Sequence, residues 1–193
     1  MPAPARNRTA LVIIDMQEDI VGMRDTTRKT VPLLRRVLDA FRKKGLPVFH
    51  VIRTYRRDWS DVELPRVAEF QERGPRVIEN TPGARIVSAL APREGEFVIV
   101  KKRWSGFFMT ELPLLITRLG VGSVVIGGTQ TPNCVRSTAF DAISYDLETT
   151  VLSDGTSAAT PQIHESNLLD MKNIGVGLLT CEEAVGMVAR LRT

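Results

Sequence analysis

Three side chains able to do covalent chemistry follow short apolar runs. Asp15 ends Leu11-Val12-Ile13-Ile14, Lys101 follows Phe97-Val98-Ile99-Val100, and Cys134 lies a few residues beyond Ser123–Gly127. If those runs are parallel strands, residues just past their carboxyl ends line the crevice where ligands bind. A thiol there is a nucleophile, a carboxylate can take its proton, and an amine supplies positive charge to both. Each also has a plain structural reading: Asp15 as a turn residue, Lys101 as part of a solvated Lys101-Lys102-Arg103 run, Cys134 as a small buried apolar residue. The surroundings of Cys134 favour chemistry. Asn133 is a good N-cap, and Val135, Thr138, Ala139 and Ala142 continue a helical face, so the sulfur is expected at a helix N-terminus, where a thiolate is favoured. Gly127 and Gly128 permit close backbone approach, and nearby N–H groups could receive an oxyanion. His50 and His164 are the two imidazoles of the chain. A Cys–His pair through His164 is an alternative, although Asp15 is better placed.

The elements that would position these residues are legible as alternating β-branched runs and amphipathic stretches, without linker, repeat or low-complexity segment. The predicted strands are Ala10–Asp15, Pro47–Ile52, Phe97–Val100, Ser123–Gly127, Thr149–Leu152 and Gly175–Leu179. Most are apolar on both faces, as a parallel sheet covered by helices requires. A first helix over Val31–Lys44 would bury Leu34, Val37, Leu38 and Phe41. Thr81-Pro82 predicts a helix near Gly83–Leu90, Thr160-Pro161 one near Gln162–Met171, and Thr180 with Glu183 a capping box for the last. The segment from Arg53 to Pro75 breaks the rhythm, with five arginines (Arg53, Arg56, Arg57, Arg66 and Arg73), and reads as a lid or binding loop, or else as a short helix around Pro65–Glu72.

At 193 residues, 43% hydrophobic and 25% charged, the chain fits one soluble domain spanning 1–193. Such a chain buries roughly 70% of its unfolded surface and needs no disulfide or structural metal. Cys134 and Cys181 form no Cys-x-x-Cys pair, which excludes a structural zinc site and suits a reducing cytoplasm. The segment Met1–Ala10 and the run ended by Asp15 are too short for a signal-peptide core, and no apolar run nears the roughly 20 residues that span a bilayer. The net charge of +4 is mild and its basic residues are scattered, so neither nucleic acid nor membrane is an expected partner. No Gly-x-Gly-x-x-Gly follows the first strand and no Gly-x4-Gly-Lys-Ser/Thr exists, which removes dinucleotide and nucleoside-triphosphate enzymes; no cofactor is expected.

Taken together, Val-Ile-Ile-Asp15-Met-Gln, Lys101-Lys-Arg-Trp-Ser-Gly-Phe-Phe and Gly128-Thr-Gln-Thr-Pro-Asn-Cys134-Val-Arg-Ser-Thr-Ala-Phe-Asp-Ala resemble the isochorismatase-like cysteine hydrolases, over residues 9 to about 185. The stretch from Gln130 to Val176 looks most like a branch with plant probable inactive nicotinamidases. The resemblance implies a three-layer α/β/α sandwich with a six-stranded parallel sheet, a catalytic triad of Asp15, Lys101 and Cys134, a cis peptide between Thr129 and Gln130, and an oxyanion hole from the N–H groups of Gln130 and Cys134. It also implies hydrolysis of a small carboxamide, ureido or carbamoyl C–N bond through a thioester, with release of ammonia, and a homo-oligomer.

The departures shape the substrate. Nicotinamidases of this family usually carry Asp-x-His and further histidines after the second strand to hold a metal; this chain has Arg53-Thr-Tyr-Arg-Arg-Asp-Trp-Ser-Asp61 there, so no metal is expected and nicotinamide is disfavoured. The lid arginines suggest a substrate carboxylate, since guanidinium grips carboxylate in a two-point fork. Arg53 and Trp104 are the expected substrate-binding residues. The alternative is a non-catalytic protein of the same fold that binds a metabolite or partner, with Cys134 as a redox-sensitive thiol.

Overall fold

The computed structural model describes residues 7–191; the reading of Met1–Ala10 therefore falls partly outside the described residues. Six strands, β1 (Arg8–Ile14), β2 (Val48–Arg53), β3 (Phe97–Lys101), β4 (Val121–Thr129), β5 (Glu148–Ser157) and β6 (Gly177–Leu179), form one sheet in the order β3-β2-β1-β4-β5-β6. All five pairings are parallel. Seven helices accompany it: α1 (Glu18–Gly22), α2 (Asp25–Lys43), α3 (Leu64–Arg73), α4 (Leu112–Arg118), α5 (Arg136–Ser144), α6 (Pro161–Asn173) and α7 (Cys181–Arg190).

The period-2 alternation of β1 divides the core into two layers. Ala10, Val12 and Ile14 face one apolar cluster with Leu112 and Ile116 of α4, Ala139 and Ala142 of α5 and Met171 of α6. Leu11 and Ile13 face the other, where α2 inserts Leu34, Val37, Leu38 and Phe41 and α7 inserts Ala184 and Val188. β1 is covered on both sides, which explains its unbroken apolar sequence.

The strand order reverses beside β1: the chain moves outward to β2 and β3, then returns on the other side as β4. Adjacent parallel strands whose connections leave in opposite directions open a crevice at their carboxyl ends. Asp15 follows β1 and Cys134 follows β4 at that place.

Several boundaries differ from expectation. α2 begins at Asp25 rather than Val31, because the Thr27 hydroxyl is tied to Ser157 (2.9 Å) and Thr30 donates to the Thr27 carbonyl (2.8 Å), satisfying the polar groups of the added turns. The expected helix over Gly83–Leu90 is instead two 3₁₀ turns, Pro82–Ala84 and Ser88–Leu90. Between them the backbone pairs with the segment after β1, Glu18 N–H donating to the Arg85 carbonyl and Val87 N–H to that of Met16. That ladder competes with coiling. The caps at Thr160 and Thr180, the latter a full capping box, form as expected.

The segment after β2 is ordered around a small core of its own. Tyr55, Val62, Phe70, Val77, Ile78 and Ala84 pack together, with the Tyr55 and Phe70 rings edge to face at 5.2 Å. α3 supplies Phe70, so the short-helix reading of this segment holds over that of an unstructured lid.

Candidate active site

Asp15 leaves β1 in a left-handed turn (φ 53°), a conformation that Asp tolerates better than most residues, with its N–H donating to the Val51 carbonyl at 2.8 Å. This places its carboxylate against the ends of β3 and β4. Lys101, the last residue of β3, is wholly buried; its Nζ donates to Asp15 Oδ2 at 2.8 Å and lies 3.4 Å from Cys134 Sγ and 3.3 Å from the Arg103 carbonyl. Asp15 Oδ1 is buried with no hydrogen-bond partner. The Lys101-Lys102-Arg103 run is thus divided: Lys101 turns inward, while Lys102 ties the Thr54 carbonyl and Asp61, and Arg103 the Asp61 carbonyl.

Cys134 sits in a π turn, Thr131–Val135, that runs directly into α5. Gln130, not Asn133, occupies the N-cap position, and the Asn133 N–H donates to the Gln130 carbonyl. Pro132, with its pre-set φ, begins the helical run earlier than the Asn133 signal suggests. The Thr129–Gln130 peptide is cis. Behind it Thr129, Ser157 and Thr27 form a chain of hydroxyl contacts, each 2.9 Å. Thr138 Oγ1 donates to the Cys134 carbonyl (2.6 Å) and accepts from Gly106 N–H (2.9 Å), tying the nucleophile turn to the loop after β3. At Gly128 (φ +115°) an added Cβ would stand 2.1 Å from the Ile14 carbonyl oxygen, so the approach of β4 to β1 beside the site requires glycine.

The thiol is 4% exposed. Burial pushes its pKa up and the Asp15 carboxylate adds to this, while Lys101 and Arg53 pull it down without reversing the shift. The thiolate preference expected of a helix N-terminus is thus opposed here, since removal from water and a neighbouring carboxylate outweigh the two cations and favour the protonated form. Taking Asp15 and Glu63 as carboxylates, their charges balance those of Lys101 and Arg53. Moving a proton from Cys134 to Asp15 then leaves the net charge of the cluster unchanged. That transfer avoids the cost of creating an uncompensated buried charge.

These groups border a cavity of ≈ 210 Å³, lined among others by Asp15, Arg53, Tyr55, Thr129, Gln130 and Cys134, with Arg24, Arg66 and Arg76 also on its wall. Arg24 Nε and Arg66 Nε are buried there without hydrogen-bond partners, and Arg76 pairs with Glu69 at 2.9 Å. Arg24, in the turn between α1 and α2, is absent from the sequence reading; nothing in its local pattern separates it from a solvated turn residue. Glu63 is likewise new. It is buried and paired with Arg53 and the Tyr55 hydroxyl. Gln17, in the motif of the first strand, spans the site's floor by accepting from Arg53 N–H (2.9 Å) and donating to the Arg53 and Ala84 carbonyls.

Two expectations move. Trp104 does not line this cavity; it borders a shallow groove with Phe108, Ser137 and Asp141, because the loop after β3 turns it toward α5. His164 makes no pair with Cys134: Nε2 donates to the Ser153 carbonyl (2.9 Å) and Nδ1 lies 2.8 Å from Thr131 Oγ1. No group of three His, Cys, Asp or Glu among the described residues is arranged to hold a metal. After β2, Arg53, Tyr55 and Glu63 fill the place with an ion pair, so these residues do not fit the metal that the nicotinamidase pattern implies.

The α/β crevice thus holds a buried carboxylate, amine and thiol in one cluster. Residues 9–183 match the Isochorismatase domain, and the chain belongs to the isochorismatase family. It is 44% identical over 184 residues to a probable inactive nicotinamidase of Arabidopsis thaliana, covering 91% of this chain and 93% of that one. The crystal structure of an isochorismatase family protein from Desulfovibrio vulgaris has a TM-score of 0.89 at 40% identity, covering 95% and 100% of the two chains. That of N-carbamoylsarcosine amidase from Thermoplasma acidophilum has a TM-score of 0.75 at 26% identity, covering 91% and 97%.

Proposed function

We propose that the protein is a cysteine amidohydrolase that cleaves a carboxamide, ureido or carbamoyl C–N bond of a small anionic substrate and releases ammonia. The observation that carries the reading is the convergence of Asp15, Lys101 and Cys134 from the ends of three strands, with Asp15 and Cys134 opening onto one cavity and Lys101 buried behind them. The amidase among the structural relatives supports the reaction class.

In this reading Asp15 takes the Cys134 proton as the sulfur attacks the carbonyl carbon. The N–H groups of Gln130 and Cys134 receive the oxyanion. Asp15 returns the proton to the departing nitrogen, and water, deprotonated by the same carboxylate, hydrolyses the thioester. Lys101 holds Asp15 in place. The Nε donors of Arg24, which has no hydrogen-bond partner, and of Arg66, which lies 3.9 Å from Glu63 without a hydrogen bond to it, receive the substrate carboxylate, in place of the fork expected from Arg53.

A second reading, a non-catalytic binder of the same fold, draws on the buried thiol, whose pKa burial pushes up, and on the plant relative's description as inactive. One experiment separates the two: ammonia release from a panel of anionic and neutral amides, with mass spectrometry of acid-quenched protein. Ammonia together with an acyl adduct on Cys134, both absent in Cys134→Ala, is expected. Ligand-dependent thermal stabilisation without ammonia would overturn hydrolysis in favour of binding. The homo-oligomer belongs to the same proposal and is read by light scattering. No helix of the described residues is long and apolar enough to cross a membrane.

A further inference from the structure

Arg53 ends β2 at the cavity, but its guanidinium is already engaged. Nη1 donates to the Tyr55 hydroxyl at 2.6 Å and to Glu63 Oε1, and Nη2 donates to the Arg103 carbonyl at 3.1 Å and lies 3.3 Å from Cys134 Sγ. Its side chain is 3% exposed and that of Glu63 2%. A guanidinium whose terminal nitrogens are all committed offers no two-point fork to a substrate carboxylate. Lys101 makes the same two contacts from the other side, with the Arg103 carbonyl and with Cys134 Sγ.

We infer that Arg53 is a second catalytic cation of this site: together with Lys101 it stabilises the negative charge on Cys134 Sγ during attack and again as the thioester breaks down. Glu63 and Tyr55 are positioning residues that hold the guanidinium on the sulfur. The inference rests on Cys134 being the nucleophile. In the step itself the Sγ–H bond breaks and its proton passes to the Asp15 carboxylate, the sulfur electron pair forms the bond to the carbonyl carbon, and the carbonyl π bond breaks with its pair moving onto the oxygen; Arg53 neither gains nor loses a proton.

The charged groups facing the sulfur are Asp15 from β1, Arg53 from β2 and Lys101 from β3. Glu63 and Tyr55 stand behind Arg53, and Arg24, Arg66 and Arg76 with Glu69 lie on the wider cavity wall. Of these, Asp15 raises the thiol pKa, as burial does, while Lys101 and Arg53 lower it. Removing Arg53 therefore has a defined sign: the thiolate becomes harder to form.

The test is the rate of Cys134 alkylation by iodoacetamide, a neutral reagent, followed by mass spectrometry from about pH 6 to 10. It compares the wild type with Arg53→Lys, Arg53→Met, the charge-balanced double variant Arg53→Met/Glu63→Gln, and Lys101→Met. Cys181, itself buried, becomes reactive only if the fold opens and so reports on integrity. Arg53→Met and the double variant are expected to move the rise in Cys134 reactivity upward by about one to two pH units, with Arg53→Lys moving it less. In parallel kcat for a responsive amide falls while KM changes little. An unmoved profile in the double variant, with KM raised and kcat intact, overturns the inference and returns Arg53 to substrate binding. If Lys101→Met moves the profile and the Arg53 variants do not, the role of Arg53 alone fails. If none moves it and the wild type releases no ammonia, the nucleophile reading fails with it. Should Arg53→Met not fold, the double variant and Arg53→Lys decide.

Discussion

Asp15 carries two duties on its two oxygens. Oδ2 is held by Lys101, and Oδ1 is buried without a hydrogen-bond partner. A buried acceptor without a partner is costly and is kept where a proton must arrive. Asp15→Asn keeps the shape but removes the base, so kcat for ammonia release is expected to fall by about 10²- to 10⁴-fold with the fold intact; near-normal turnover would remove Asp15 from the mechanism. Arg24→Ala is expected to act differently. It should raise KM for an anionic amide about tenfold, equal to ~1.4 kcal/mol of binding, and leave a neutral amide unaffected. Equal effects on the two substrates would count against a carboxylate contact there.

The strands and their ends were the most legible elements, because an apolar run bounded by a reactive polar residue carries its own register. Asp15, Lys101 and Cys134 could be placed that way, each from a handful of neighbours. Arg24 and Glu63 could not: Arg24 reaches the cavity wall only through the packing of the turn after α1 beside the segment after β2, and Glu63 reads as a surface acid until Arg53 and Tyr55 close on it. Trp104 does not line the cavity for a similar reason: the direction of this aromatic, close to Lys101 in the chain, is set by tertiary packing. The helix expected after Thr81 lost to pairing with the segment after β1, an override of local propensity by long-range hydrogen bonds. The close contact of β1 and β4 gives a test at this scale. Gly128→Ala places a Cβ against backbone with a positive φ, and a loss of roughly 3 kcal/mol or more is expected in denaturant melts. A melt like wild type would mean that the two strands can part locally without consequence.

Across the whole molecule, a second buried charge cluster lies under the sheet's edge, away from the cavity. Glu96 is bound by Arg42 (2.6 and 2.9 Å), by Arg93 N–H (2.9 Å) and by His50 Nε2 (2.9 Å). Burial pushes the His50 pKa below its usual 6.5, against the pull of Glu96. The unfolded chain therefore binds more protons than the native one just below pH 6.5, and stability falls as the pH drops through that value. Glu96 is affected oppositely by burial and by its bonds to Arg42, Arg93 and His50, with the bonds prevailing to hold it at about 2 against an ordinary 4.5. Its contribution is present above pH 4.5 and is lost as the pH falls toward 2. Urea melts between pH 7.5 and 5 should show the His50 loss, and His50→Gln should flatten it; a wild-type curve already flat in that window would place the histidine's proton exchange elsewhere.

β1 is the first strand made, yet in the finished sheet it lies between β2 and β4. At the usual pace of translation, roughly five to twenty seconds separate its synthesis from that of β4. Throughout that interval the apolar run Ala10–Ile14 of β1 has at least one bare edge. The nascent chain is therefore sticky for most of its growth, and the step that shields it is the same docking of β4 that carries the cysteine to the aspartate. Biogenesis and the assembly of the reactive centre share one late event, so a lesion that delays this docking should reduce soluble yield and the number of competent sites together.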